Sequence, residues 1–352
     1  MNSRQWLKRM FFTTLVFVGL PIFVVMGFNY WIDPLWNFSH KHEYNDYQLG
    51  FDERQLKTNF INSREFEYDS LIIGTSRVTY MDASKFEEET VFNYSLSSLY
   101  IDEYLPYIQY AAEKNGEDFD TIFMELYQGS YLDGMVNEFN DPDFYFEKSG
   151  EPFYKIKSLF SYNTLESSMD NYDISKANYF SGPRSYNREN VTRTTYPNDN
   201  VEEMLTNFAT NFEKRAATNP VKYSDVYKDY LLDLKKTYPN TKFVVFTDPM
   251  PYERLVVTLS NREQREAFEQ WYREMVDVFG EVYSFQGETP ITTNSDYFFD
   301  THHYYPIVGD MMIEALEQPK EYDDVLYIVN EENIDKYLSE VIGDAEVALE
   351  GH

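Results

Sequence analysis

A serine, a histidine and an aspartate, the residue types that nucleophilic acyl transfer uses, fall in two short segments far apart in this chain. Asp69-Ser70-Leu71-Ile72-Ile73-Gly74-Thr75-Ser76-Arg77 places Ser76 at the end of an apolar run, directly after Gly-Thr. Phe299-Asp300-Thr301-His302-His303-Tyr304 places Asp300 three residues before His303. A serine at a strand-to-turn corner exposes its hydroxyl, and backbone N–H groups nearby can face an oxyanion. His303 could take the hydroxyl proton, and Asp300, on the same turn, could hold the imidazole in the useful tautomer. The chain has only five histidines, and two of them sit in this motif. Each residue also has an ordinary structural role open to it: Ser76 as a turn cap, Asp300 as a helix N-cap, His303 as a core side chain. Adjacent histidines point in different directions, so Asp300, His302 and His303 are read without a metal.

The elements that would position these residues alternate between strand and helix. Short apolar runs at 70–73, 90–94, 121–126, 242–247 and 281–285 read as strands. Helical spacing covers 101–114, 224–236, a stretch from about 262 to 278 opened by a capping box at Ser260-Asn261-Arg262-Glu263, and 305–316. Alternation of this kind predicts an α/β fold with a parallel sheet covered on both faces. Functional groups in such sheets collect at the carboxyl ends of the strands, which is where Ser76 and the Asp300–His303 motif fall. Residues 130–222, rich in Tyr, Asn, Ser and Asp, interrupt the alternation and read as a partly helical insertion, either a lid or a passive surface excursion. Asp248-Pro249-Met250-Pro251 reads as a loop former, and the aromatic stretch 94–104 as a core that could also line a glycan groove.

Hydrophobic residues make up 43% of the 352, enough for a substantial core. Lys and Arg number 30 against 60 Asp and Glu, and a net charge of -30 repels nucleic acid, which is set aside as a partner. The absence of cysteine removes disulfides and thiol catalysis. Residues 10–31 carry no charge and are long enough to cross a bilayer as a helix, with a kink expected at Pro21. Arg4, Lys8 and Arg9 precede the stretch, which predicts a cytoplasmic N-terminus and an extracytoplasmic body. A cleaved signal peptide fits less well, because bulky aromatics occupy the place of a small-residue cleavage site. The acidic body is expected to stand off anionic lipid. The organisation that follows is an anchor at 1–32, a juxtamembrane connector without a clear period at 33–68, an α/β domain at 69–320, and an acidic tail with one helix at 321–352.

Gly74-Thr75-Ser76 after an apolar strand, together with Asp300-Thr301-His302-His303, resembles the first and last blocks of the SGNH (GDSL-type) hydrolase superfamily. The anchor, the GTSR variant and the His303-Tyr304 pair are similar to membrane-anchored members that accompany membrane-bound O-acyltransferases, and to the related D-alanyl transfer protein of teichoic-acid pathways. The resemblance implies a three-layer, flavodoxin-like fold and a triad of Ser76, His303 and Asp300. It also implies acyl transfer or ester hydrolysis on an envelope polysaccharide, with a multi-spanning O-acyltransferase as acyl donor and no cofactor. The middle blocks depart from the family: Asn93-Tyr94-Ser95-Leu96-Ser97-Ser98 lacks its glycine, and Glu125-Leu126-Tyr127-Gln128-Gly129 lacks its asparagine. Ser97, Ser98, Gln128 and Tyr127 are the candidate oxyanion donors in their place. Arg77 could fork onto an acceptor phosphate or carboxylate, or pair with an internal acid. A catalytically decayed module that binds polymer or scaffolds an acyltransferase is the alternative from another class, and a plain extracellular esterase a third.

Overall fold

A computed structural model describes residues 2–350 apart from 51, 135–136 and 219–220. It divides into two compact units, Met1–Phe66 with Asp143–Asn190, and Glu67–Pro142 with Val191–His352. The expected connector and insertion are therefore not separate pieces. The middle of the insertion joins the anchor and connector in one unit, and its two ends belong to the other.

In the first unit a continuous helix runs over Ser3–Ile32, long and apolar enough to cross a membrane. Asn2 caps it, accepting from the Gln5 N–H at 3.0 Å. Pro21 has no N–H, and its ring crowds the carbonyl four residues back. The chain meets this with a π-turn at Leu15–Gly19, where the Leu20 N–H bonds the Leu15 carbonyl. The helix ends at Asp33, which turns left-handed (φ 51°). Its carboxylate accepts from the Asn37 and Phe38 N–H groups at 2.8 and 3.0 Å and pairs with buried Arg188 at 2.7 Å. The connector is not irregular: Glu53–Ser63 is a helix buried nearly all round. Several of its polar groups bond inside the unit, with Asn59 Nδ2 donating to the Leu35 carbonyl at 2.9 Å and Gln55 Nε2 to Asn59 at 2.9 Å. A helix covered on every side shows no polar-apolar period, which is why the sequence reads as unpatterned there.

The second unit is mixed α/β. Its six-stranded sheet is built from β1 (Ser70–Ile73), β2 (Val91–Asn93), β3 (Thr121–Glu125), β4 (Lys242–Thr247), β5 (Glu281–Ser284) and β6 (Tyr327–Asn330). They lie in the order β2-β1-β3-β4-β5-β6, the first five parallel and β6 antiparallel. The five parallel strands are those expected. They read as continuous apolar runs because both faces are buried. Ile72, Phe123, Val244 and Phe246 pack with Val308, Met312 and Ile313 of the helix Pro306–Glu317. Helices Ile101–Asn115 and Arg262–Phe279 also pack on the strands. The latter is capped by Asn261, which accepts from the Gln264 N–H at 3.1 Å, whereas Ser260 ends the preceding helix Tyr252–Leu259. The expected acidic tail is integral: it supplies β6 and the helix Ile334–Glu350, whose Tyr337 hydroxyl lies 2.7 Å from Ser284 Oγ.

Gly309 lets the helix Pro306–Glu317 lie directly on the backbone of the Val78–Tyr80 turn. A Cβ there would sit 2.4 Å from the Tyr80 carbonyl oxygen. Gly309→Ala should destabilise the detergent-solubilised chain by about 1–3 kcal/mol through overpacking, read as a lower urea midpoint. An unchanged midpoint would contradict this close approach.

Candidate active site

β1 stops at Ile73, and the chain turns through Gly74, Thr75 and Ser76 into the short 3₁₀ turn Val78–Tyr80. The turn is tied by the Val78 N–H to the Thr75 carbonyl at 3.1 Å and, from the loop after β2, by the Leu96 N–H to the Gly74 carbonyl at 2.9 Å. Gly74 is needed for space rather than for a special backbone conformation. A Cβ there would lie 2.6 Å from both Glu125 Oε2 and Val78 Cγ2. Thr75 and Arg77 are buried, and Ser76 between them is half-exposed.

The structure brings Ser76, His303 and Asp300 together. Ser76 Oγ lies 2.9 Å from His303 Nε2, and His303 Nδ1 lies 2.7 Å from Asp300 Oδ2. Asp300 Oδ1 accepts from the His302 and His303 N–H groups at 2.8 and 2.7 Å. The carboxylate thus fixes the loop and the ring together, and the network places the proton on Nδ1, which leaves Nε2 to accept from Ser76. The Phe299 ring lies parallel to the imidazole, centroids 5.6 Å apart, and the Tyr80 ring meets it edge-on at 6.1 Å. Burial alone would raise the Asp300 pKa. The bond to His303, the neighbouring ring charges and the His302 N–H outweigh it and hold the carboxyl well below its usual range. Asp300 stays ionised, and a hydroxyl beside an oriented imidazole can be deprotonated as it attacks a carbonyl.

Behind Ser76 lies a buried charge cluster that the sequence reading only touched. Arg77 is not turned toward a substrate. Its Nε lies 3.2 Å from Glu125 Oε1 and its Nη1 3.3 Å from Asp248 Oδ2, with the Tyr127 ring beneath the guanidinium at 4.9 Å. Of the two roles open to Arg77, the internal ion pair is the one seen. Asp248 is likewise more than a loop former. Glu125 also accepts from the Thr75 N–H and, at 3.0 Å, from Thr75 Oγ1, so it holds the turn that carries Ser76. The signal for this cluster was present: Glu125 and Asp248 are lone acids at the ends of apolar strands adjacent in the sheet. Burial pushes the Glu125 carboxyl up to about 7, with Arg77 opposing and Asp248 reinforcing.

The remaining candidates lie on the loops that follow β2 and β3. Ser97 and Ser98 lie in the turn after β2, Ser98 exposed and left-handed (φ 50°). Gln128 follows β3, and its Nε2 is buried without a hydrogen-bond partner among the described residues. Tyr94 and Tyr104 are fully buried, so these two line no glycan groove. An open groove of about 340 Å³ borders the triad loop, lined by Met204, Asn207, Phe208, Asn211, Arg254 and Thr301. Arg254 stacks on Phe208 at 4.5 Å and donates to Thr301 Oγ1 at 2.9 Å. Side-chain ligand atoms of Asp300, His302 and His303 lie within 4.8 Å of one another. Both Asp300 oxygens already accept hydrogen bonds, and His303 is committed to Asp300 and Ser76. No protein-family model matches the chain, and no curated protein matches it in sequence.

Arg77→Met strands two buried carboxylates and should cost about 3–5 kcal/mol, measured by urea unfolding. Glu125 carries a pH signature as well. Its folded value near 7 lies above the ordinary carboxylate value of about 4.3. Its contribution to stability is therefore complete in acid and is lost as pH rises through 7. Relative to Glu125→Gln, the native chain should lose stability between about pH 5 and 8. Parallel stability profiles for the two proteins would show that Glu125 does not titrate in that window.

Proposed function

We propose that this chain is a membrane-anchored serine acyltransferase or esterase of the SGNH type, acting on an extracytoplasmic envelope polysaccharide. The observation that carries the reading is the continuous Ser76–His303–Asp300 hydrogen-bond chain. The parallel sheet fits a three-layer, flavodoxin-like SGNH architecture, and the helix Ser3–Ile32 supplies the anchor, with its N-terminus in the cytoplasm.

In this mechanism Ser76 Oγ attacks the acyl carbonyl while His303 Nε2 takes its proton. The tetrahedral oxyanion collapses, the leaving oxygen takes the proton back from Nε2, and the acyl group stays on Ser76. A sugar hydroxyl or water then gives its proton to Nε2 and attacks, and as the second tetrahedral intermediate collapses Ser76 Oγ leaves and takes that proton back from Nε2. A multi-spanning O-acyltransferase would present the acyl donor, most simply an acetyl group, and no cofactor is needed. Gln128 Nε2, a buried donor with no hydrogen-bond partner among the described residues, is the side chain assigned to the developing oxyanion, beside the backbone N–H groups of Ser97 and Ser98. The groove beside Thr301 offers amides, an aromatic face and a guanidinium, a lining suited to a hydroxylated, anionic acceptor chain. Loss of the family's glycine and asparagine is what favours the rival reading, a decayed module that binds polymer or scaffolds a partner.

The two readings separate on intact mass after incubation with 4-nitrophenyl acetate. The native chain should gain about 42 Da, one acetyl group, and Ser76→Ala should gain nothing. His303→Ala should slow acylation by about 10²–10⁴-fold, and Gln128→Ala by about 10²–10³-fold. An adduct that survives in Ser76→Ala, or none in the native chain, would sink the catalytic assignment.

A further inference from the structure

The segment 153–162, Phe-Tyr-Lys-Ile-Lys-Ser-Leu-Phe-Ser-Tyr, presents apolar side chains to the outside. Phe153 is 73% exposed, Ile156 50%, Phe160 55% and Tyr162 68%. Phe153 also adopts a left-handed backbone (φ 62°), which bulky residues rarely do, and burial within the protein does not account for it. The segment holds two lysines and no acid, in a chain of net charge -30. Lys157 pairs with Glu151 at 3.1 Å.

The height of this segment is fixed by the N-terminal helix of the same unit. Asn29, three residues before the helix ends, donates from Nδ2 to the Leu159 carbonyl at 2.9 Å, and its Oδ1 accepts from Ser168 Oγ at 2.9 Å. Asn37, just past the helix, donates to Ser158 Oγ at 3.0 Å. The uncharged stretch 10–31 is about 33 Å long at 1.5 Å per residue, close to the thickness of a hydrocarbon core. Asn29 therefore falls at its outer edge, level with exposed Tyr30 and Trp31, which is where aromatic belts form.

We infer that residues 153–162 rest in the outer headgroup layer of the bilayer, with Phe153, Ile156, Phe160 and Tyr162 dipping to the acyl boundary. The inference rests on the anchor's crossing the membrane. Continuity with the anchor and the exposed aromatic-lysine pattern identify lipid as the occupant. The standing-off expected from net charge acts on the acidic surface, and the segment 153–162 itself carries no acid.

The chain has no cysteine, so single labels are clean. The full chain carrying Phe17→Cys, Phe153→Cys or Phe160→Cys would be labelled with an environment-sensitive dye and placed in phosphatidylcholine nanodiscs. Labels at 153 and 160 should lose at least about half their emission to lipid carrying a nitroxide near the headgroup, and less to lipid carrying it deep in the tail, with the order reversed at 17. Quenching at 153 and 160 by aqueous iodide instead, or protection from every quencher, overturns the inference. If position 17 is also untouched by nitroxide lipid, the anchor itself does not cross and that reading falls first. Both positions 153 and 160 are exposed, so neither variant should disturb folding.

Discussion

The second unit turns on one guanidinium held between two carboxylates. Arg77, Glu125 and Asp248 are all buried, each on the chain that leaves the carboxyl end of a different strand. Taking such groups from water is costly, and only mutual pairing makes it tolerable. Pairing fixes how the ends of β1, β3 and β4 stand relative to one another. Because Glu125 also takes the Thr75 N–H and hydroxyl, that constraint reaches the residue next to Ser76. Gly74 follows from the same constraint, since any side chain there would occupy the space of the Glu125 carboxylate.

Ser76 and His303 are brought into reach by two different devices. The turn bearing Ser76 is held from behind, by the charge cluster. The loop bearing His303 is held locally: Asp300 binds two backbone N–H groups and the ring at once, and the Phe299 N–H bonds the His303 carbonyl at 3.1 Å. Contact between the two parts passes through the helix after His303, which lies backbone-close on the Val78–Tyr80 turn at Gly309. The geometry of the triad therefore depends on packing as much as on its own hydrogen bonds.

What was legible in the sequence was what is local or periodic. The five parallel strands are short runs with apolar centres, and Asp300 and His303 are three residues apart, so both could be read without coordinates. The Ser76–His303 pairing followed from strand-end topology. What was hidden depended on partners distant in sequence. Arg77 suits a ligand or, as such arginines more often do, an internal acid, but its partners at 125 and 248 are too distant in sequence to be read from it. Helix Glu53–Ser63 buries Arg54, Gln55, Lys57 and Asn59, so its pattern carries no face. β6 pairs antiparallel at the sheet edge in a stretch whose acidic neighbours suggested a tail.

The cluster has a consequence for the chemistry proposed beside it. Two ionised carboxylates around one guanidinium leave a net negative charge in a low-dielectric interior close to Ser76, where an oxyanion would have to form. Such a charge would work against the proposed reaction unless it were cancelled or outweighed by donors aimed at the oxyanion. A proton on Glu125 cancels it. With burial and Asp248 both raising its pKa, Glu125 is the member of the cluster able to hold one near neutrality. The same proton weakens the Glu125–Arg77 attraction that braces the turn, so bracing and electrostatic tolerance pull in opposite directions. The Thr75 N–H reconciles them, because a backbone donor can bond a protonated carboxyl through its carbonyl oxygen as well as a carboxylate. The turn that carries Ser76 can then keep its place whether or not Glu125 is charged.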